Sequence, residues 1–182
     1  FSLINMKNRR GWYRQQFIKL FQKVTSDHYI VIDSDVWINK PIIDDKYPTF
    51  FMGKDQYHKP YFDLMRDIVN VGREHGHSFI SEIMMFDRSI IQEMLDRIHT
   101  DEQGFFDTCV EYINIVNNAS GFSEYELYGN YVVKYHPGKY WFKNINVFGK
   151  ALKREWTTEE IKQYVASNEK SNYDLLTMHS WL

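Results

Sequence analysis

The chain has 182 residues, which fits one domain, and 22 Lys and Arg stand against 24 Asp and Glu, a formal net charge of −2. With no basic excess to neutralise a run of phosphates, nucleic acid is excluded as the expected partner. No apolar run approaches the ~18 residues of a membrane span. The single cysteine, Cys109, excludes a disulfide framework and a multi-cysteine metal site, and it fits a reducing compartment, so we expect a cytoplasmic protein without a transmembrane segment.

The first half of the chain alternates helical and extended patterns. Residues 11–24 carry apolar side chains at helical spacing, and residues 29–32 form a β-branched run without alternation, which indicates a strand buried on both faces of a parallel sheet. Residues 50–52 predict a second strand, and residues 61–71 predict a helix. A polar loop over residues 72–78 follows.

The second half continues the alternation. A strand is predicted over residues 79–86, followed by helices over residues 87–98 and 105–116. Ser123 opens a further helix, with Glu126 as its partner in a capping box, and Thr157 or Thr158 with Glu160 begins the last helix, through Val165. Residues 131–135 favour β structure. We therefore predict one α/β domain over residues 1–182, with an open, mainly parallel sheet and helices on both faces.

The sharpest chemical signal is the sequence Asp33-Ser34-Asp35 at the end of the first predicted strand. Carboxylates two residues apart on an extended segment point to the same side, at the strand end where open α/β sheets bind ligands. Their mutual repulsion favours a cation beside them, and hard oxygen ligands suit Mg²⁺ or Mn²⁺. The pattern favours a metal-bound diphosphate; in the structural alternative, the pair caps a turn or lies in solvent.

Other side chains suit the same ligand. On the first helix, Arg14 and Lys19 could bind phosphate and Gln15 or Gln16 could bind sugar hydroxyls, unless this polar face is simply solvated. Aromatic side chains that could stack on sugars, or simply pack, are Trp12, Trp37 and Tyr57. His75 and His77 lie in the polar loop, where solvated histidines are expected more often than ligand contacts.

Glu124 is the candidate general base that would deprotonate an acceptor hydroxyl, because it has no assigned structural task. The structural alternative is a favourable interaction with the helix dipole, which contributes ~0.3–1 kcal/mol. Asp87, at the end of the strand predicted over residues 79–86, is the second candidate base.

Three blocks of sequence resemble a poorly characterised group of GT-A-type glycosyltransferases. They cover residues 11–20, residues 29–35 with the D-x-D, and residues 122–129 (Phe-Ser-Glu-Tyr-Glu-Leu-Tyr-Gly). The resemblance implies a Rossmann-type sheet in which a D-x-D-bound Mn²⁺ or Mg²⁺ bridges the diphosphate of a nucleotide-sugar donor. By this resemblance Asp35 holds the metal, Asp33 holds the ribose or a metal-bound water, and His179 is a further metal ligand, with His136 as its alternative.

The same resemblance implies transfer of the sugar to a hydroxyl of a glycan acceptor, inverting with Glu124 as base, with a retaining reaction as the alternative. Donor contacts are then expected from the D-x-D and the first helix, namely Asp33, Ser34, Asp35, Arg14, Gln15, Gln16 and Lys19. GT-A domains begin with strands that hold the nucleotide base, and only ten residues precede Gly11. We therefore expect such amino-terminal strands to be missing here.

Two other functions fit the D-x-D. Phosphohydrolases of the haloacid dehalogenase type use the first Asp of such a motif as nucleophile with Mg²⁺, but they carry Thr or Val at the fifth position, where this chain has Trp37. The remaining alternative is a non-catalytic sugar- or nucleotide-binding domain.

Overall fold

A computed structural model describes residues 9–43, 46–116, 120–152 and 154–180. In these residues, helices and strands alternate along the chain. In chain order they are α1 (Arg10–Leu20), β1 (His28–Ile32), β2 (Val36–Ile38), β3 (Thr49–Met52), α2 (Lys59–Val69), β4 (Ile83–Asp87), α3 (Arg88–Arg97), α4 (Glu102–Val116), α5 (Glu124–Tyr135), β5 (Trp141–Asn144), β6 (Val147–Leu152), α6 (Thr158–Asn168) and β7 (Leu175–Ser180).

The described strands form three small sheets. β1 pairs antiparallel with β4, β3 pairs parallel with β5, and β7 lies between β2, which is antiparallel to it, and β6, which is parallel. The predicted α/β class is therefore confirmed at the level of mixed helices and strands. The pairings divide equally between parallel and antiparallel.

The prediction for residues 29–32 was right about the strand and wrong about its surroundings. β1 is antiparallel to β4, and its burial alternates, with Ile30 and Ile32 36% and 37% exposed. Tyr29 and Val31 pack against the core on the other face. A run of β-branched residues favours extended backbone, but it sets neither the direction of the partner strand nor the number of covered faces. β3, in contrast, is buried at every position.

Residues 131–135, predicted as extended, continue α5 instead. Tyr131 and Val132 are fully or almost fully buried in the main core, and this tertiary packing outweighs their weak preference for strands. Strands β2, β5 and β6 were not predicted, whereas the last helix begins as expected, with a complete capping box between Thr157 and Glu160.

The helix α5 is buried along most of its length at the centre of the main core. Its amino-terminal cap, Ser123, accepts a hydrogen bond from the Glu126 backbone N–H at 3.3 Å. The Glu126 carboxylate does not return the capping-box bond; it accepts hydrogen bonds from the Ser78 hydroxyl at 2.5 Å and from the Asn130 amide at 3.0 Å. The buried carboxylate therefore ties the 72–78 loop to α5.

α1 packs against α5 and against the residues just before it. Phe17 of α1 stacks on Phe122 with ring centroids 4.7 Å apart, and the Tyr13 hydroxyl accepts a hydrogen bond from the Gly121 backbone at 2.8 Å. No helix in the described part of the chain is both long and apolar enough to cross a membrane.

Candidate functional site

Two strand pairings build a cleft around the D-x-D. In the β1–β4 ladder Ile32 faces Ile83, so Asp33 and Glu82 follow as neighbours, and the Asp33 N–H donates to the Glu82 carbonyl at 2.9 Å. On the other side the Met178 N–H of β7 donates to the Asp35 carbonyl at 2.8 Å. The cleft encloses about 730 Å³. Its lining residues are Arg9, Trp12, Gln15, Asp33, Ser34, Asp35, Tyr61, Ile80, Ser81, Glu82, Met178, His179 and Ser180.

The last carboxylate of the D-x-D is paired with a histidine from the far end of the chain. The Asp35 Oδ2 and His179 Nδ1 atoms lie 2.8 Å apart, and both side chains are about one-third exposed. β7 supplies His179, and the Trp156 indole N–H donates to the His179 carbonyl at 3.2 Å. One oxygen and one imidazole nitrogen therefore face each other at the open side of the cleft.

The two groups are hydrogen-bonded to each other, and carboxylate and imidazole are both side-chain types that bind divalent cations. The separation of 2.8 Å is that of a hydrogen bond, so an ion held by both groups would replace the proton between the imidazole nitrogen and the carboxylate oxygen. Within the described ranges, no group of three or more His, Cys, Asp or Glu side chains is arranged to hold an ion. Mg²⁺ is typically bound by one or two carboxylates together with substrate phosphates and water, so an ion at Asp35 would take most of its ligands from outside the protein.

The first carboxylate of the D-x-D has a different partner. The Lys19 ammonium lies 2.5 Å from Asp33 Oδ1 and 3.3 Å from Glu124 Oε1, with the lysine and Glu124 side chains only 12% and 4% exposed. Burial alone would lower the pKa of Lys19, but the charges of Glu124 and Asp33 outweigh it and raise that pKa. Lys19 is therefore charged, and this one cation is shared by Asp33 and Glu124.

Burial raises the pKa of Glu124 to about 6, although the neighbouring Lys19 opposes this shift. Its backbone N–H, one of the unpaired donors of the first helical turn, donates to the Gln16 side-chain carbonyl at 3.3 Å. Tyr125 completes this cluster, since its ring centroid lies 4.9 Å from the Lys19 ammonium and its pKa is raised by burial and by the charge of Asp33.

The structure brings some of the predicted donor-binding residues together and separates others. Gln15, Asp33, Ser34, Asp35 and the proposed metal ligand His179 line the cleft, and so does Trp12. Gln16 is instead buried between α1 and α5, and Arg14 is exposed and does not line the cleft. Lys19 and Glu124 do not line the cleft. Lys19 contacts the lining residue Asp33, and Glu124 contacts Lys19.

Asp87, the second candidate base, lies at the other end of β4. It faces His28 in the ladder, four positions from the Ile32–Ile83 pair, or roughly 13 Å away. Its side chain caps α3 through Ser89 and accepts a hydrogen bond from Lys139 at 2.8 Å. Burial would raise its pKa, but the bonds from Lys139 and Ser89 outweigh this and lower it to about 2. The carboxylate therefore has a complete structural role outside the cleft.

The remaining candidates also lie elsewhere. His136, the residue after α5, has its Nε2 atom 2.9 Å from a carboxylate oxygen of Glu93 on α3. His75 stacks on Phe142 with ring centroids 4.5 Å apart. Side chains that are exposed outside the cleft are His77, Trp37 and Tyr57.

Some residues that line the cleft were not predicted from the sequence. Glu82 is the main one: burial and the charges of Asp33 and Asp35 raise its pKa. Only the antiparallel register of β1 and β4 sets it beside the D-x-D, and a sequence pattern does not encode that register. Arg9 and Tyr61 also line the cleft.

Comparison with known proteins places the chain in a family. No curated protein matches it. The model of a family described as "Family of unknown function (DUF6492)" matches residues 3–181, a range that contains every residue lining the cleft. Because the match extends over nearly the whole sequence, the chain belongs to the DUF6492 family.

Proposed function

We propose that this protein is a metal-dependent glycosyltransferase of the GT-A type, with a Rossmann-type domain that moves a sugar from a nucleotide-diphosphate-sugar donor to a hydroxyl of a carbohydrate acceptor. The observation that carries the proposal is the Asp35–His179 pair, 2.8 Å apart at the edge of a cleft that also contains the first D-x-D carboxylate. The resemblance of residues 11–20, 29–35 and 122–129 to GT-A enzymes supports the same function.

Asp35 and His179 would hold Mn²⁺ or Mg²⁺, which stabilises the negative charge that develops on a leaving diphosphate. The role of Asp33 is different in this proposal. The Lys19 ammonium, 2.5 Å from Asp33 Oδ1, holds the Asp33 carboxylate in place. The carboxylate is therefore oriented to accept hydrogen bonds from hydroxyls of the nucleotide-sugar. Ser34 and Gln15 add polar groups along the same wall.

An inverting transfer needs a carboxylate within hydrogen-bond reach of the acceptor hydroxyl. We assign this task to Glu82, which lines the cleft beside Asp33. Glu124, predicted from the sequence as the base, is 3% exposed and paired with Lys19, so we give it the task of positioning Lys19 and, through it, Asp33. A phosphohydrolase of the haloacid dehalogenase type would need Asp33 as nucleophile, and its motif carries Thr or Val at the position that Trp37 occupies here.

The decisive experiment is calorimetric titration with a panel of nucleoside diphosphates and nucleotide-sugars, with and without Mn²⁺. We expect one nucleotide to bind only with metal, and Asp35→Ala to abolish that binding while the circular dichroism spectrum stays unchanged. Asp107→Ala is the matched control, because Asp107 is exposed on α4 and accepts a hydrogen bond from Gln103 outside the cleft. Metal-independent binding, or full binding by Asp35→Ala, would refute the proposed site. Binding without sugar transfer to any acceptor or to water would instead indicate a non-catalytic domain.

A further inference from the structure

The cleft has a second group of lining residues whose chemistry differs from that of the D-x-D. Arg9 directly precedes α1, and Trp12 and Gln15 lie in its first half, whereas Lys19, which contacts Asp33, lies near its end. Seven residues separate Trp12 from Lys19, a rise of roughly 10 Å along a helix. The cleft therefore extends from carboxylates and an imidazole at one end to a guanidinium and an indole at the other.

The Arg9 and Trp12 side chains form a stacked pair. The guanidinium carbon of Arg9 lies 4.2 Å from the centroid of the Trp12 ring, and one guanidinium nitrogen donates to the Ser120 hydroxyl at 3.0 Å. Trp12 packs edge-to-face on the fully buried Tyr13, with centroids 4.9 Å apart. Contacts on both sides of the pair hold it in place, so little side-chain freedom is lost when a ligand binds.

This pair suits a ligand that combines a flat ring with negative charge. A guanidinium stacked on an indole offers planar stacking surfaces, and nucleobases stack on both aromatic rings and arginine planes. Arg9 is the one Lys or Arg among the described residues that line the cleft. Phosphates would be repelled by Asp33, Asp35 and Glu82 unless a metal is bound, but they are attracted by Arg9. A neutral glycan can stack on the indole and accept hydrogen bonds from the guanidinium, but it carries no charge for that group to balance.

We propose that the Arg9–Trp12 pair binds the nucleobase and the adjoining phosphate of a nucleoside diphosphate, whose terminal phosphate extends toward Asp35 and His179. This inference rests on the proposed function and deepens it, because it says which end of the cleft holds the nucleotide. The base site then lies at the start of α1.

The test compares two probes in the presence of Mg²⁺: the nucleoside diphosphate that binds best in the panel, and inorganic diphosphate, which has no base. We expect Trp12→Ala to weaken nucleoside diphosphate binding roughly 5- to 150-fold, the range for loss of one base-stacking contact, and to weaken inorganic diphosphate binding clearly less, because Arg9 loses its stacking partner but keeps its charge. Arg9→Gln should weaken both probes. Trp12→Phe, which keeps an aromatic face, should retain most of the affinity, and binding of the nucleotide should quench the fluorescence of Trp12.

Trp141→Phe is the control for the Trp12 variants, because Trp141 is 60% exposed on β5, outside the cleft. If Trp12→Ala and Arg9→Gln bind the nucleoside diphosphate as tightly as the unchanged protein while Asp35→Ala does not, the base lies elsewhere and the proposed function survives. If the unchanged protein binds no nucleoside diphosphate with metal, both the proposed function and this inference fail. Equal weakening of both probes by Trp12→Ala would also overturn the base assignment.

Discussion

The two carboxylates of the D-x-D are equivalent in the sequence but not in the folded protein. Asp33 is neutralised by a buried lysine, whereas Asp35 faces an imidazole at the cleft edge. Coordination of a metal by Asp33 would compete with its ion pair to the Lys19 ammonium at 2.5 Å. Metal binding in our proposal therefore depends on Asp35. This difference between neighbouring residues leads to predictions that separate their roles.

Lys19→Met should be strongly destabilising. Its removal leaves Asp33 and the buried Glu124 without their shared cation, and breaking a buried ion pair from one side costs roughly 3–5 kcal/mol. The free energy of unfolding in urea measures the loss. Lys23→Met is the control, because Lys23 is exposed just after α1 and its change should be near neutral. Adding Glu124→Gln to Lys19→Met should recover part of the stability; equal losses for the two lysine variants would contradict the ion-pair assignment.

The stability of the protein should depend on the protonation of Glu124. Burial raises the pKa of Glu124 from 4.5 to about 6, so the folded protein binds this proton more tightly than the unfolded chain does. The resulting stabilisation is fully present below the unfolded pKa and is lost as the pH rises through the folded pKa. It amounts to ~2 kcal/mol for this group.

Glu124→Gln should remove this dependence. The difference in unfolding free energy between the variant and the unchanged protein should therefore shift in favour of the variant between about pH 5 and about pH 7. Asp87, whose pKa is lowered to about 2, acts in a separate window, because its contribution is lost only as the pH falls below its unfolded value of 3.8. A difference that stays constant across the higher range would show that Glu124 is not the titrating group.

Glu82→Gln tests the acceptor-side assignment. Loss of a general base lowers turnover by about 10²–10⁴-fold, and we expect this drop in kcat for sugar transfer with little change in donor affinity measured by calorimetry. Glu124→Gln should have a smaller effect on kcat, because it acts through Lys19 and Asp33. If Glu124→Gln lowers kcat more than Glu82→Gln does, Glu124 and not Glu82 is the base.

At the scale of elements, α5 packs closely against the segment that contains Phe79. Nine of its residues are buried, including a glycine in the middle of the helix, which is otherwise unfavourable. The reason is contact: a Cβ at Gly129 would lie 2.1 Å from Cγ of the fully buried Phe79. Close approach of helix and loop therefore requires glycine here.

Gly129→Ala should accordingly destabilise the protein. The better helix propensity of alanine contributes ~1 kcal/mol, but overpacking a full core costs ~1–3 kcal/mol or more, and overlap with ring atoms puts this site at the upper end. Thermal unfolding measures the result. Gly11→Ala is the matched control, because a Cβ there has no neighbour within 4 Å, and it should be neutral or slightly stabilising. Unchanged stability of Gly129→Ala would mean that Phe79 moves aside at little cost.

For the whole molecule, the arrangement of β7 between β2 and β6 decides whether a site exists at all. This strand supplies His179, which meets Asp35 across 144 positions of sequence. Because only two protein groups of the proposed metal site face each other, we expect metal and diphosphate to bind together, each completing the ligand shell of the other.

Joint binding should appear as a shift in thermal stability. Mn²⁺ with the preferred nucleoside diphosphate, at a concentration ~100-fold above Kd, should raise Tm by about 5–10 °C, whereas Mn²⁺ alone should have little effect. His179→Ala and Asp35→Ala should both abolish the shift. If Mn²⁺ alone raises Tm by the same amount, the two-donor site is contradicted, because all ligands of the ion must then come from the protein.

The sequence by itself determined the local features: the main helices, the capping of α5 by Ser123 and of α6 by Thr157, strand β3, and the position of a D-x-D at the end of a strand. These depend on neighbouring residues, on periodicity and on backbone hydrogen bonds within a few positions, so a sequence pattern contains them. The predicted chemistry of Asp35 and His179 likewise came from residue type and resemblance.

Only the tertiary structure decided which groups meet. Strand direction, and with it the placement of Glu82 beside Asp33, depends on which strands pair, and a short apolar run is compatible with either orientation. The burial of Glu124 and Gln16, the structural use of Asp87 as a cap, and the stacking of Arg9 on Trp12 all arise from packing between distant elements. Electrostatic roles depend on distance and burial, which are properties of the folded chain and are absent from any local pattern.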